Sequence, residues 1–224
     1  MQKKIRKILA LLNKTYGKSR PFRPTAPVDE LIRTILSQNT TDKNSLKAFA
    51  VLKDKFKPWD TLLKIDTRRL AGLIRHAGLG NTKSKRIKNV LAQIKRREGR
   101  ISLSRLKNLR AKESTDYLRS LKGVGPKTAA CVLLFSFYKP VMPVDTHIFR
   151  VTKRLGLIEK RINIAEAHEI LSKIVPKHLI YEFHLGIIEH GRRTCKAQNP
   201  KCGMCAIYSL CKFEDKRRYK SERK

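Results

Sequence analysis

Apolar side chains recur every three or four residues along most of this chain, which is the periodicity of α-helices with one buried face. Residues 28–36, 42–56, 144–155 and 164–175 show this spacing clearly. The strict alternation that marks half-buried strands is missing, and so are internal repeats. The pattern therefore predicts an all-α fold.

Polar residues and glycines predict where several of these helices begin and end. Asp42 is a candidate N-cap for the helix over residues 42–56. The Gly-Leu-Gly triplet at residues 78–80 indicates a helix stop. Asn81 or Thr82 can then cap a basic helix that follows this stop.

The charge balance narrows the choice of partner. The 224 residues include 52 Lys and Arg against 18 Asp and Glu, which gives a formal net charge of +34. Such a surface repels itself unless a polyanion neutralises it, so nucleic acid is favoured over an anionic membrane surface. The lysine-rich exterior of a thermophilic protein is a further alternative, but such exteriors are usually rich in Glu as well.

The sequence offers no candidate for a membrane-spanning segment, since no apolar run approaches the roughly 20 residues that cross a bilayer. The N-terminal stretch MQKKIRKILALLNKTYG resembles a signal peptide only in outline. Its apolar core is short and no small-residue cleavage site follows, so we predict an amphipathic first helix instead. We therefore expect a cytoplasmic, nucleoid-associated protein whose cysteines are reduced or bound to metal.

The stretch LKGVGPKTAACVLLF, residues 121–135, places two glycines and a proline ahead of an apolar helix. Gly123-Val124-Gly125 can form a tight turn that only glycine tolerates, and Pro126 suits the first helical position, where a missing N–H costs nothing. The free N–H groups of such a turn attract anions, typically phosphate. The turn is either an ordinary corner between helices or, as we predict for a chain of this charge, a phosphate-binding site.

Lys127 and Asp145 are candidates for catalysis. Lys127 lies in the first turn of the apolar helix, where the helix dipole disfavours a cation and so favours a neutral, nucleophilic amine. A solvated lysine or a further phosphate contact explains it equally well. Asp145, in the segment PVDTHIFR, can be an N-cap, or a carboxylate that stabilises a cationic sugar transition state or moves protons.

Four cysteines near the end follow the pattern Cys195-x6-Cys202-x2-Cys205-x5-Cys211. Four thiolates so close together in a cytosolic chain indicate a metal centre. Zinc sites usually pair two short Cys-x-x-Cys or Cys/His units. Only one such unit is present, so an iron–sulfur cluster is favoured over zinc and over disulfides. The fifth cysteine, Cys131, falls in the apolar helix and is predicted to pack in the core.

Four motifs taken together resemble the endonuclease III branch of the helix-hairpin-helix DNA glycosylases. They are ILSQNTTD at residues 35–42, the hairpin LKGVGPKTA, the segment PVDTHIFRV and the cysteine spacing. The resemblance implies two helical lobes flanking a DNA-binding cleft. A six-helix lobe with the hairpin would span residues 25–139, and residues 1–24 with 140–224 would form the lobe that holds a [4Fe–4S] cluster at residues 195–211.

The same resemblance implies roles for individual residues. Lys127 and Asp145 match the catalytic lysine and aspartate of the family. Gln38 and Asn39 fall where the family places the residue that fills the gap left by a flipped base. The implied DNA-binding residues are Gly123, Val124, Gly125, Gln38, Asn39, His147 and Arg150. The implied cluster ligands are Cys195, Cys202, Cys205 and Cys211.

The implied enzyme is a bifunctional DNA glycosylase and AP lyase of base excision repair. It would act as a monomer on double-stranded DNA with damaged bases or abasic sites, by family default on oxidised pyrimidines, and nick the strand through a lysine Schiff base. Lys122 stands where many relatives have proline, and Pro126 where endonuclease III has arginine. The second change lies beside Lys127 and therefore bears on substrate preference.

Two other functions compete with this one. A monofunctional glycosylase of the same superfamily would act on mismatched or alkylated bases, but such relatives generally lack the lysine. A non-catalytic DNA-binding protein would bind DNA in a salt-sensitive way without cleaving it. The presence of both Lys127 and Asp145 argues against the second alternative.

Overall fold

The computed structural model describes residues 1–220, within which eleven α-helices and no β-strand occur. The helices are α1 (Gln2–Tyr16), α2 (Pro27–Leu36), α3 (Asp42–Lys55), α4 (Asp60–Lys64), α5 (Thr67–Leu73), α6 (Gly80–Glu98), α7 (Ala111–Arg119), α8 (Pro126–Phe137), α9 (Thr146–Arg154), α10 (Ile164–Ile174) and α11 (Ile180–Arg193). The prediction of an all-α fold is confirmed. None of the helices within the described residues is long and apolar enough to cross a bilayer.

The helices group into two compact units. One unit is formed by residues 23–139, and the other by residues 1–22 together with the chain from residue 140 onward. The 23–139 unit contains α2 to α8, seven α-helices counting the five-residue α4, where the family resemblance implies six. The other unit contains α1 and α9 to α11. Residues 221–224 of the predicted second lobe lie outside the part of the chain that the structure describes.

Helix α8 forms the centre of the 23–139 unit. Its side chains are buried nearly all round, and Ala129, Val132 and Leu133 are each 0% exposed. It packs against α2 and α7. Full burial of a large aliphatic side chain is worth about 1.5–3 kcal/mol, so α8 cannot shift without a large loss of stability. Cys131 is buried in this helix, as predicted.

Helix α6 begins earlier than the predicted caps Asn81 and Thr82. Its first residue is Gly80, its N-cap is Leu79 in the left-handed conformation (φ 51°), and no side chain caps it. A Cβ on Gly80 would lie only 2.9 Å from the carbonyl oxygen of Ala71 on α5. The glycine therefore allows α6 to begin in close contact with α5, and this packing replaces a polar cap.

The cap of α3 also differs from the prediction. Thr41, and not Asp42, is the N-cap, and its Oγ1 accepts a hydrogen bond from the Asn44 N–H at 3.3 Å. Asp42 is the first residue inside the helix, where its negative charge faces the positive end of the helix dipole. The start of the helix was predicted correctly, and only the capping residue was misassigned.

The second unit is built around α11, which contacts α1 and α9. The amphipathic N-terminal helix is observed as predicted, and Ile5, Ile8 and Leu12 of α1 are all 0% exposed. A Cβ on Gly191 of α11 would lie 2.9 Å from the Cβ of His147 on α9. The absence of a side chain at Gly191 therefore sets how closely α9 and α11 approach.

Candidate functional site

The predicted glycine turn lies between α7 and α8, and its first glycine needs a special backbone. Gly123 has φ 109°, a region that favours glycine. The turn is closed by a hydrogen bond from the Val124 N–H to the Leu121 carbonyl oxygen at 2.9 Å. Gly125 has φ −87°, which any residue adopts. The prediction that only glycine tolerates this turn is therefore correct for Gly123 and wrong for Gly125.

The feature that distinguishes Gly125 is the open space beside its Cα, and not its backbone conformation. Apart from its two chain neighbours, a Cβ placed on it would meet no atom of residues 1–220 within 4 Å, and the residue is exposed. Gly125 is the N-cap of α8 and Pro126 is the first helical residue. Because the first N–H groups of a helix have no partner within it, a ligand can approach them here without meeting a side chain. The turn thus has the geometry of an anion site.

Helix α6 holds this turn from behind with two side-chain amides, those of the buried Gln93 and the exposed Asn89. Gln93 accepts a hydrogen bond from the Lys122 N–H at 3.0 Å and donates one to the Lys122 carbonyl oxygen at 3.2 Å. Asn89 donates to the same oxygen at 3.0 Å. A Cβ on Gly123 would lie 3.0 Å from Cγ of Arg86. The turn is therefore fixed by α6 as well as by α8.

The structure brings Lys127 and Gln38 to the same end of α8. Lys127 is the second residue of that helix and is half-buried. Nε2 of Gln38 lies 3.5 Å from Oγ1 of the next residue, Thr128, and Oε1 of Gln38 accepts a hydrogen bond from Arg86. Asn39 follows in the left-handed conformation (φ 50°) and is exposed. These residues all belong to the 23–139 unit.

Asp145, the second catalytic candidate, belongs to the other unit. It is the N-cap of α9, and its Oδ1 accepts a hydrogen bond from the Ile148 N–H at 2.8 Å. The structural role that the sequence offered as an alternative is therefore observed. The side chain is half-buried, and the carboxylate has further lone pairs besides the one used in the cap.

Arg150 and His147, which we predicted to bind DNA, are engaged in contacts within their own unit. Nε of Arg150 donates to the carbonyl oxygen of Cys195 at 3.0 Å, and Nη2 donates to that of Gly191 at 2.9 Å. Nη2 is also 3.1 Å from Nδ1 of His147, which must accept because a guanidinium only donates. Arg150 thus links α9, α11 and the cysteine loop. A role of either residue in DNA binding remains a prediction.

The four C-terminal cysteines line one small cavity that is partly open to solvent. Apolar side chains of Val151, Leu155 and Ile207 form other parts of its wall. All five cysteines of the chain are free thiols. Among residues 1–220 no three His, Cys, Asp or Glu side chains are grouped closely enough to share one metal ion.

Three of the four thiols of this cavity are poorly suited to ionise without a metal. Burial raises the pKa of Cys205 to about 12, and burial followed by the neighbouring cysteines raises the pKa of Cys202. Burial also raises the pKa of Cys211. A bound metal centre supplies the positive charge that ligand thiolates need, so this donor set fits an iron–sulfur cluster.

Hydrogen-bond donors directed at the sulfur atoms support the same assignment. Nη1 of Arg154 lies 3.4 Å from Sγ of Cys195, and the Phe213 N–H lies 3.5 Å from Sγ of Cys211. Such donors stabilise thiolate ligands and orient them. Arg154 was missed in the sequence, although it follows Arg150 by one helical turn and so lies on the same side of α9.

His190 was missed as well. It is 1% exposed, and its Nε2 lies 3.7 Å from Sγ of Cys205. Its Nδ1 lies 2.9 Å from the Tyr16 hydroxyl on α1. Burial, with a smaller contribution from the charge of Arg150, lowers the pKa of His190 to about 4, so the ring is neutral. Its position five residues before Cys195 is the only sequence signal that could have identified it.

Two protein-family models match this chain, one over the segment with the glycine turn and one over the cysteine loop. Residues 32–177 match the HhH-GPD superfamily of base excision DNA repair proteins. Residues 195–211, the segment with the four cysteines, match the iron–sulfur binding domain of endonuclease III. The first match contains the glycine turn and both catalytic candidates, and the second contains the cysteine loop.

Individual relatives agree with these matches. The chain is 35% identical to endonuclease III of Thermotoga maritima over 198 residues, 88% of each protein. It is 37% identical over 171 residues to an Arabidopsis thaliana protein described as a DNA glycosylase, covering 75% of this chain and 58% of that protein. A solved structure of a trapped endonuclease III–DNA covalent intermediate is 31% identical, with a TM-score of 0.81 and coverage of 97% and 99%. The chain therefore belongs to the endonuclease III family within the HhH-GPD superfamily.

Membership of this family confirms the predicted class of enzyme, a bifunctional DNA glycosylase and AP lyase. The match to the iron–sulfur domain confirms the predicted [4Fe–4S] cofactor. The residues that would hold it are Cys195, Cys202, Cys205 and Cys211. When bound, the cluster joins four points of the loop and so stabilises its fold.

The cysteine loop generates a prediction about metal content. We expect the purified protein to be brown and to hold about four irons per chain. In Cys202→Ser both iron content and visible absorbance should fall, because a ligand is lost. Cys131→Ala, which removes the buried thiol of the other unit, should keep both. A protein that holds zinc in place of iron would contradict the assignment.

The glycine turn generates a prediction about two neighbouring substitutions. Gly123→Ala should lower the free energy of unfolding by about 1–2 kcal/mol, because an alanine is strained at positive φ. Gly125→Ala should change it by less than about 0.5 kcal/mol, since nothing there is strained or crowded. Binding to duplex DNA should nonetheless weaken in Gly125→Ala, because a methyl group would stand where a phosphate approaches. Urea unfolding and fluorescence anisotropy measure the two quantities, and unchanged DNA binding in Gly125→Ala would exclude this turn as the phosphate site.

Proposed function

We propose that Lys127 is the nucleophile of this glycosylase and lyase and that oxidised pyrimidines in duplex DNA are its preferred substrates. The observation that carries the proposal is the position of Lys127. It is the second residue of a helix that is fixed by burial, directly behind a glycine turn with open space in front of it. A phosphate bound at that turn would bring a DNA strand to the amine.

The glycosylase step follows from ordinary amine chemistry. The target nucleotide is turned out of the duplex, since the sugar C1′ cannot be reached inside the base stack. The neutral amine of Lys127 forms a bond to C1′ while the bond from C1′ to the base breaks, and the base leaves with the electron pair and takes up a proton. Loss of a further proton and opening of the sugar ring leave a Schiff base between Lys127 and C1′.

The lyase step uses the same intermediate. The Schiff base acidifies the C2′ hydrogen, which is removed as a proton, and the electron pair expels the 3′ phosphate from C3′. Water then hydrolyses the Schiff base and restores the amine of Lys127. A solved structure of a trapped covalent complex between endonuclease III and DNA supports this route for the relative, at 31% identity and a TM-score of 0.81.

We propose Asp145 as the carboxylate that assists this amine. It would accept a proton from the lysine and stabilise positive charge that develops on the sugar. Its N-cap hydrogen bond to Ile148 fixes one carboxylate oxygen and so orients the other. The role in the cap and the proposed role in catalysis are therefore compatible.

The finer assignments rest on the relatives. The preference for oxidised pyrimidines rests on the resemblance to the endonuclease III family, to which relatives with 35% and 33% identity belong by name. Pro126 follows the open glycine turn and lies next to Lys127. Since endonuclease III has arginine at this position, Pro126 is where a difference in substrate preference from endonuclease III would arise. We further propose that Gln38 and Asn39 fill the gap left by the flipped base, and that the protein acts as a cytoplasmic monomer on nucleoid DNA.

Borohydride trapping tests the nucleophile. With a duplex that contains an abasic site, the wild-type protein should give a covalent adduct, because borohydride reduces the Schiff base. The adduct should vanish in Lys127→Gln. Lys122→Gln removes an exposed lysine of the same turn and is the matched control, which should still give the adduct at saturating DNA. Wild-type protein that releases bases without forming an adduct would overturn the lyase mechanism.

Two substitutions separate the roles of Asp145. Asparagine is as good an N-cap as aspartate, so Asp145→Asn should keep the stability of α9, whereas Asp145→Ala should cost about 1 kcal/mol. Single-turnover base release should fall in both variants by about 100-fold or more, because both lose the carboxylate. Normal base release in Asp145→Asn, together with destabilised Asp145→Ala, would show that the residue is only a cap.

A further inference from the structure

We propose that Arg86 is a positioning residue for damage recognition, which holds the Gln38 side chain in a fixed relation to the glycine turn. The inference rests on the proposed function, in which Gln38 fills the space left by the flipped base. It adds a residue that no motif of the sequence identified, on a helix that carries neither of the catalytic candidates.

Arg86 touches both of the predicted DNA-binding segments of the 23–139 unit. Its Nη1 donates a hydrogen bond to Oε1 of Gln38. Its aliphatic part faces the glycine turn, since a Cβ on Gly123 would lie 3.0 Å from Cγ and 3.6 Å from Cδ of Arg86. One half-buried side chain therefore lies against Gly123 and bonds to Gln38 at the same time.

The contact with Arg86 determines which way the Gln38 amide points. A guanidinium carries only donors, so the amide oxygen must face Arg86 and the amide nitrogen must face away from it. The nitrogen lies 3.5 Å from Oγ1 of Thr128, a side chain that is 2% exposed. Without Arg86 the amide could turn over and the side chain could adopt other rotamers. Gln38 would then present no defined donor or acceptor to DNA.

A second side chain of α6 fixes the backbone beneath Gln38. Lys83 is 2% exposed, and its Nζ donates to the carbonyl oxygens of Leu36 and Ala77, each at 2.7 Å. It joins the end of α2 to the turn that precedes α6. Burial is the main reason that the pKa of Lys83 is lowered. The backbone on which Gln38 is carried is thus held in place, and Arg86 orients the side chain upon it.

A positioning role and a simple phosphate contact predict different effects of substitution. An arginine that only neutralises a phosphate strengthens binding to every duplex alike, and its loss reduces the salt dependence of binding by about one ion. An arginine that positions Gln38 matters only where the base has left the stack. Its loss should lower the preference for damaged DNA and leave binding to undamaged DNA nearly unchanged.

The experiment measures Kd for a duplex with a tetrahydrofuran abasic analogue and for the undamaged duplex at the same salt concentration. Arg86→Met keeps the aliphatic contact with Gly123 and removes the donor. We expect it to lower the preference for the abasic duplex about tenfold, the size of one hydrogen bond to a charged group. Arg86→Lys keeps a donor and should recover part of the preference. Arg96→Met, an exposed arginine on the same helix, is the control and should leave the preference unchanged.

A double-mutant cycle completes the test. Because Arg86 is inferred to act through Gln38, Arg86→Met should add little to the loss that Gln38→Ala causes alone. Equal weakening on both duplexes, or losses that simply add, would overturn the inference and make Arg86 a phosphate contact. An unchanged preference in Arg86→Met, with a normal borohydride adduct from the wild type, would overturn this inference alone. Absence of the wild-type adduct would instead count against the proposed lyase.

Discussion

The burial of α8 is the constraint on which the proposed active site depends. A helix that is apolar nearly all round has no solvent face along which it could slide or rotate, so its first turn occupies a fixed place in the 23–139 unit. Its other end is fixed too, because the Thr25 N–H and hydroxyl both donate to the Phe135 carbonyl oxygen, at 3.0 and 3.2 Å. Lys127 can act as a nucleophile only if its position is fixed, and a helix on the surface would not hold it in one position.

Apolar packing alone does not fix the glycine turn, because it is non-directional. Direction comes from the buried amide of Gln93 on α6, which is 8% exposed and both donates to and accepts from the Lys122 backbone. An unpaired buried amide would be costly, so any shift of the turn that broke these bonds would be opposed. The core thus holds α8 in place, and the polar contacts from α6 determine which way the turn faces.

Local signals in the sequence were sufficient to predict the all-α fold, the glycine turn and the cysteine loop. Pro126 followed by an apolar run predicted α8, and the turn at Gly123 follows from the conformational freedom of glycine itself. The cap at Thr41 was missed because Asp42 beside it is an equally suitable capping residue. The start of α6 at Leu79 was missed because a tertiary contact, and not a polar cap, decides it. For α6 that contact is the approach of Gly80 to Ala71, which is invisible without the fold. The open space at Gly125 is a property of its surroundings and not of the residue.

The basic residues also show what the sequence alone does not predict, namely which side chains are buried and which are exposed. A net charge of +34 indicates a nucleic-acid partner, but the total does not say which cations are available to it. Lys83 is buried between two carbonyl oxygens, and Arg150 and Arg154 bond to the cysteine loop. These side chains occur in the sequence beside lysines and arginines that are exposed, and nothing local separates the two groups. Long-range partners separate them, 47 residues away for Lys83 and 45 for Arg150. Whether a basic side chain in this protein stabilises the fold or is available to DNA therefore depends on its bonding partners in space. Those partners are known only from the structure.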